Sequence, residues 1–305
     1  MATAHTLSPP FGRMLTAMVT PFTEDGQLDV EGAQRLARHL VDAGNDGLVV
    51  SGTTGESPVT SDEEKDRLLR AVLAAVGADA YVVAGVGTND SEHTVRLARG
   101  AAQAGAHGLL VVSPYYNKPP QAGLLAHFRS VADATDLPMM LYDIPGRTGV
   151  ALESDTLRAL SEHDRIVAVK DAKGDLFAAS QLIAETGLVY YSGDDPLNLA
   201  WLSVGAAGFV SVVGHVIAAD LAAMIQAYHA GETTKALEIH QRTLPVVQTL
   251  MKRTQGCIAS KAALRMLGLP AGPVRLPYVD ADPDTVAAIR ADLALAGIDV
   301  GEGNA

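Results

Sequence analysis

Three times in this chain a helical stretch closes on a glycine and a second glycine, three residues later, opens an apolar run. The phrase stands at Gly44 and Gly47 before LVV, at Gly105 and Gly108 before LLVV, and at Gly205 and Gly208 before FVSV. A glycine just past a helix accepts the left-handed cap, and a short unbroken apolar run suits a strand buried on both faces. The phrase therefore spells a repeated helix-to-strand turn. Read the same way, the rest of the chain gives eight apolar strands: near Leu15–Thr20, Leu48–Val50, Val82–Gly85, Leu109–Val112, Met139–Tyr142, Ile166–Lys170, Val189–Ser192 and Phe209–Val212. Helical patterns lie between them. Leu36, Leu40 and Val41 share one face, as do Leu68, Leu69, Val72, Leu73 and Val76, where Thr60 and Glu63 make the expected capping box. Strands alternating with helices predict a parallel sheet, and eight such units close into a (β/α)8 barrel of the α/β class. A doubly wound open sheet is the alternative, but no G-x-G-x-x-G follows the first strand.

From about Leu221 onward the pattern is helical only. The expected organisation is a barrel over 12–220 and a helical C-terminal region over 221–305, with no Ser/Gly linker between them, so the helices should pack on the barrel. A formal net charge of −12 argues against nucleic acid or an anionic membrane surface as partner and leaves small metabolites or other proteins. Cys257, the one cysteine, can form neither an intrachain disulfide nor a metal cluster, which fits a reducing cytoplasm. The opening MATAHTLSPPFGR lacks the basic region and the apolar run of about 7–15 residues of a secretory signal, and no run of about 18 apolar residues occurs. A protein neither exported nor inserted in a membrane is expected.

In such a barrel the active site lies at the C-terminal ends of the strands, and four segments there carry candidate chemistry. Lys170 follows an apolar strand in IVAVKDAKGD; apolar surroundings would lower its pKa and give a neutral amine able to attack a carbonyl carbon, whereas pairing with Asp171 or Asp175 would make it structural. Tyr142 ends strand five, one strand away, and its phenol can shuttle a proton only if another hydroxyl relays it onward. SGTTGES, 51–57, offers glycines for close backbone approach, the hydroxyls of Thr53 and Thr54, and amides suited to a carboxylate; it also reads as a plain turn. SPYYNKP, 113–119, sets Tyr115 and Tyr116 on a proline-bounded loop that suits a subunit contact. Arg147 adds a guanidinium for a carboxylate, and the GDD at 193–195 lacks histidine or cysteine partners, so no metal is assigned.

Taken together, GTTGE, PYYNKP, YDIPGRTG, VKDAKGD, SGDD and GFVSV, each after successive or near-successive strands, resemble the dihydrodipicolinate synthase family within the pyruvate-dependent class I aldolases and lyases. The resemblance runs from about residue 12 to about 280. It implies that Lys170 forms a Schiff base with pyruvate, that Tyr142, Thr53 and Tyr116 relay protons, and that Tyr116 comes from a neighbouring subunit. It also implies that Thr54, Gly193 and Val210 hold pyruvate and that Arg147 binds the carboxylate of L-aspartate 4-semialdehyde. No added cofactor is implied, because the lysine is the electron sink. A homo-oligomer, a dimer of dimers, is the implied assembly.

Two departures from the family pattern are Asp143, where asparagine is common, and Lys173, where serine or threonine is. Some members bind lysine as an inhibitor at a subunit interface; the matching positions are Pro58, Asp62, Lys65, Asn89, His93 and Tyr115, and Lys65 and His93 disfavour a cationic ligand. Weak or absent feedback by lysine is therefore expected. The rival within the superfamily is N-acetylneuraminate lyase or a keto-deoxy-sugar aldolase, against which GRT after YDIP, with Arg147, argues. The rival of another class is a barrel that binds a metabolite without catalysis.

Overall fold

The computed structural model describes residues 9–300; residues 1–8, most of the N-terminal stretch read above, and residues 301–305, the end of the helical C-terminal region, lie outside it. Eight parallel strands, β1 (Met14–Ala17), β2 (Gly47–Val50), β3 (Tyr81–Gly85), β4 (Gly108–Val112), β5 (Met139–Asp143), β6 (Ile166–Asp171), β7 (Val189–Ser192) and β8 (Gly208–Ser211), close in sequence order into a barrel. The unbroken apolar runs follow from burial on both faces. Leu15, Val49, Val83, Leu110, Met140, Ala168 and Val210 fill the interior, while Leu48, Val82, Leu109, Leu141 and Val169 pack outward against the helices. Each fully buried aliphatic side chain contributes about 1.5–3 kcal/mol.

The helices are α1 (Val30–Asp42), α2 (Asp62–Val76), α3 (Ser91–Ala104), α4 (Gln121–Ala132), α5 (Pro145–Thr148), α6 (Ser154–Ser161), α7 (Leu176–Glu185), α8 (Asn198–Ser203), α9 (Gly214–His229), α10 (Thr233–Lys252), α11 (Gly256–Met266) and α12 (Pro283–Leu295). Residue 220, where the sequence suggested the barrel ends, lies inside α9. Leu221, Met224 and Ile225 of α9, Val246 and Leu250 of α10, Ala262 of α11 and Ile289 of α12 share one buried cluster, which also includes Met14 and Phe209 of the barrel. Among the described residues no helix is long and apolar enough to cross a membrane.

Three local expectations are corrected. β1 stops at Ala17 rather than Thr20: Met18 makes a last bond to the Val49 carbonyl of β2 at 3.0 Å, and the Val19 N–H is then taken by His215 Nε2 at 3.0 Å as the chain leaves the barrel. β8 ends at Ser211, since the Val212 N–H is taken by the Asp195 carboxylate at 2.8 Å. The capping box of α2 is one residue further on: Ser61 accepts from the Glu64 N–H at 3.1 Å and Glu64 accepts from the Ser61 N–H at 2.9 Å, while the Thr60 hydroxyl donates to the Ser57 carbonyl.

Candidate active site

In the β5–β6 ladder Tyr142 stands opposite Lys170 and Asp143 opposite Asp171. Side chains alternate along a strand, so the first pair faces the barrel interior and the second faces outward. Lys170 is 4% exposed, and its Nζ lies 4.3 Å from the centre of the Tyr142 ring. Burial pulls its pKa down from 10.5 to about 8, with Asp195 opposing that shift and Arg147 assisting it. At pH 7 roughly one such amine in ten is then neutral, against about one in three thousand for an ordinary lysine. The carboxylates weighed as structural partners are engaged elsewhere. Asp171 accepts the N–H groups of Lys173 at 2.8 Å and Gly174 at 3.0 Å, and Asp175 caps α7 through the Ala178 N–H at 3.1 Å.

Tyr142 is buried, and burial pushes its pKa up to about 12, with Arg147 and the Thr53 side chain working against the shift and Asp194 with it. A phenol in that state keeps its proton at neutral pH. It can therefore pass a proton along a chain of hydroxyls but does not rest as a phenolate.

The loop that presents Thr53 is tightly made. Gly55 donates to the Gly52 carbonyl at 3.1 Å and Glu56 to the Thr53 carbonyl at 3.1 Å, and a Cβ at Gly55 would fall 3.0 Å from the Met18 carbonyl oxygen. Thr54 is buried beside it. Its far end is pinned by Glu56, which has a left-handed φ of 56° and no exposure. One Glu56 oxygen is 2.7 Å from Lys261 Nζ, itself wholly buried, and the other accepts from the Arg275 N–H at 2.8 Å. The sequence reading missed this pair, whose members lie at opposite ends of the chain; the one local hint was a glutamate inside a glycine-rich turn.

Arg147 sits on α5 at the rim, where Gly149, at φ 77°, ends the turn, and its charge acts on the half-buried Tyr278, countering the upward push of burial on that phenol's pKa. Tyr278 is a further neighbour that sequence reasoning did not single out. A cavity of about 180 Å³ opens here, lined in part by Gly52, Thr53, Tyr115, Tyr142, Ile144 and Arg147. Lys170 is not on its wall and meets it through Tyr142. Gly193 lies against the lysine: a Cβ there would fall 2.9 Å from Lys170 Cγ, so only glycine leaves room for that side chain. Val210 is buried in the same inner cluster as Tyr142. Tyr116 is the candidate that is not brought together with the rest; it is 88% exposed, at φ 74°, and does not line the cavity.

The two departures read separately from the sequence turn out to be partners. Lys173 Nζ is 3.6 Å from the wholly buried Asp143 carboxylate and donates to the Leu152 carbonyl at 3.2 Å. Burial raises the Asp143 pKa to about 6, with Lys173 and the Leu152 N–H holding it down and Asp171 pushing it up. The pair lies directly behind Tyr142 and Lys170.

A barrel with a buried, partly deprotonated lysine on its sixth strand, its amine over the ring of a tyrosine on the fifth, defines the class: the Schiff-base-forming class I aldolases and lyases. Residues 10–296 match the dihydrodipicolinate synthetase family, and the chain belongs to that family. It is 62% identical over 298 residues, 98% of this chain and 99% of the relative, to 4-hydroxy-tetrahydrodipicolinate synthase 2 of Streptomyces coelicolor. It is 65% identical over 288 residues, 94% of this chain and 93% of the relative, to 4-hydroxy-tetrahydrodipicolinate synthase of Acidothermus cellulolyticus. Among solved structures, a dihydrodipicolinate synthase from Cyanidioschyzon merolae with lysine bound superposes with a TM-score of 0.93 at 40% identity, over 96% of this chain and 100% of that one.

Proposed function

We propose that the chain carries out the 4-hydroxy-tetrahydrodipicolinate synthase reaction, a lyase step of lysine and diaminopimelate biosynthesis, condensing pyruvate with L-aspartate 4-semialdehyde. The neutral Lys170 amine adds to the ketone carbon of pyruvate, and loss of water from the carbinolamine gives an iminium. Tyr142 and Thr53, with Tyr116 from a neighbouring subunit, carry the protons of these steps. Loss of a methyl proton makes the enamine, whose carbon attacks the aldehyde held through its carboxylate by Arg147. The amine of the second substrate then closes onto the iminium carbon and releases Lys170. Thr54, Gly193 and Val210 hold pyruvate. The observation that carries this reading is the buried Lys170 amine, its pKa drawn to about 8, 4.3 Å from the Tyr142 ring.

The assembly we infer is a homo-oligomer, a dimer of dimers, working in the cytoplasm; the exposed Tyr116 suits a residue used across an interface. Weak or absent lysine feedback is part of the proposal. At the matching positions His93 Nε2 is 2.9 Å from the Asp62 carboxylate, so those two side chains satisfy each other, and the Lys65 ammonium is held by the Thr60 backbone carbonyl. Inhibition by submillimolar lysine would overturn that part.

The reaction is tested by mass analysis of products from pyruvate with L-aspartate 4-semialdehyde, beside cleavage assays on N-acetylneuraminate and a keto-deoxy-sugar acid. Turnover of the first pair alone is expected, and Arg147→Ala should raise KM for the semialdehyde by about tenfold to a hundredfold, as loss of a bidentate carboxylate contact does. Cleavage of a sugar acid in preference to the condensation would move the chain to another branch of the superfamily.

A further inference from the structure

Among the buried carboxylates to which the mechanism above gives no part, one stands on the loop beside Lys170. Asp195 opens the turn after β7 and is 3% exposed. Its carboxylate gathers four donors. Oδ1 accepts from Ser211 Oγ at 2.6 Å and Asn198 Nδ2 at 2.9 Å, and Oδ2 accepts from the N–H groups of Val212 at 2.8 Å and Val213 at 3.1 Å. Ser211 Oγ itself accepts from the Gly214 N–H at 2.9 Å, which leaves its proton for Asp195. Donors alone converge on this group, the partner set of a carboxylate anion. Those bonds tie the loop after β7 to the end of β8, just past Val210.

β6 and β7 are paired with Lys170 opposite Tyr191 and Asp171 opposite Ser192, so the loop that carries Asp195 leaves the barrel beside the lysine. Of the charged groups around the lysine, Asp195 favours the cation, Arg147 opposes it, and Tyr142 presents its ring face. The neighbouring Asp194 acts on Tyr142 instead and is itself offset by Lys252. Gly193, two residues before Asp195, packs against the lysine side chain. A Schiff base of a 2-oxo acid fixes an iminium charge on the lysine nitrogen until it is hydrolysed or displaced, and when the acid's own carboxylate is held by other groups that buried charge is costly without a second anion nearby. An anion already fixed by four hydrogen bonds stabilises it without reorganising when the charge develops.

We propose that Asp195 is the fixed counter-charge of the iminium formed on Lys170, a positioning residue that acts through the lysine while its hydrogen bonds hold the end of β8 beside the substrate. This rests on the Schiff-base reading of Lys170.

The test follows the pH dependence of the initial rate of borohydride-trapped pyruvate adduct on the full-length enzyme, in wild type, Asp195→Asn, Asp195→Ser and Asp195→Glu. Removing the anion makes the ammonium less favourable, so the acid limb should move about half to one pH unit toward lower pH in both neutral variants. The adduct trapped at saturating pyruvate on the plateau should fall about tenfold. Asp195→Glu should keep the wild-type limb even if turnover drops. Because the shift follows charge rather than shape, whichever neutral variant folds will report it, while melting temperatures differ between them. An unmoved limb in a folded neutral variant, with wild type trapping normally, reduces Asp195 to a structural tie and overturns the proposal; a wild type that traps no adduct removes the Schiff-base reading instead.

Discussion

The two ends of the barrel are built on opposite terms. At the end where the strands begin, Phe11 is wholly buried and packs so closely that a Cβ on Gly108 would fall 2.3 Å from its ring. Beside it the Tyr191 hydroxyl donates to the Gly12 carbonyl at 2.9 Å, and Asp46 accepts the N–H groups of Arg13 at 2.7 Å and Met14 at 2.9 Å. At the end where the strands finish, Ser51, Glu56, Tyr116 and Lys118 adopt left-handed φ, all in the loops after β2 and β4. Lys170 there is held with its pKa drawn down to about 8 by burial. One end is relaxed and satisfied; the other holds conformations and ionisation states that folding alone does not favour, which is where a barrel of this kind keeps its chemistry.

Lys170→Met should separate the two ends most sharply. Turnover should fall by at least about a thousandfold, the usual loss when a covalent nucleophile goes. The same variant should be more stable near pH 7, by about 1–3 kcal/mol, because an ammonium no longer has to be buried. The sign follows from proton counting. Between about pH 10.5 and 8 the unfolded chain holds a proton on Lys170 that the native state does not, so wild type loses stability as pH falls through that window and bears the full penalty below it. A chemical-denaturation series across pH, with and without the substitution, reads this directly; a destabilised Lys170→Met would contradict it.

Phe11→Ala should do the reverse, costing about 3–5 kcal/mol of stability while leaving kcat within about twofold at temperatures where the variant stays folded. A large loss of kcat without a matching loss of stability would show that the closed end takes part in the chemistry. The smallest effect is on pH. In wild type, kcat/KM for pyruvate should fall about tenfold per unit below the Lys170 pKa of about 8, since only the neutral amine attacks. A flat profile from pH 6 to 8 would remove the lysine from that limb.

How much of this was legible in the chain depends on how local the physics is. The barrel and its strands could be read because burial on both faces writes itself as continuous apolar runs, and Lys170 and Tyr142 because each ends such a run. β1 was drawn too long for the same reason: Val19 is wholly buried while its N–H bonds to a histidine side chain and not to a neighbouring strand, so apolarity marks burial and not pairing. The capping box slipped by one residue because Thr60 and Ser61 are both good caps and only backbone geometry decides between them. Glu56 with Lys261, and Asp143 with Lys173, were beyond a local reading, since a buried ion pair leaves no periodic trace and its members meet only when the fold is complete. Asp195 was noticed as part of GDD and set aside as a weak metal motif; its donors come from α8, from the last residue of β8 and from the two residues beyond it, which the motif does not contain.

The central claim, that the strained end exists to hold a reactive Lys170 amine, is tested most directly by borohydride reduction of the protein with pyruvate, followed by intact and peptide mass, beside Lys170→Ala. One pyruvate-derived adduct per chain on the peptide carrying Lys170, absent from the variant, is the predicted result. A wild-type protein that stays unmodified, or is modified at another lysine, would contradict the account.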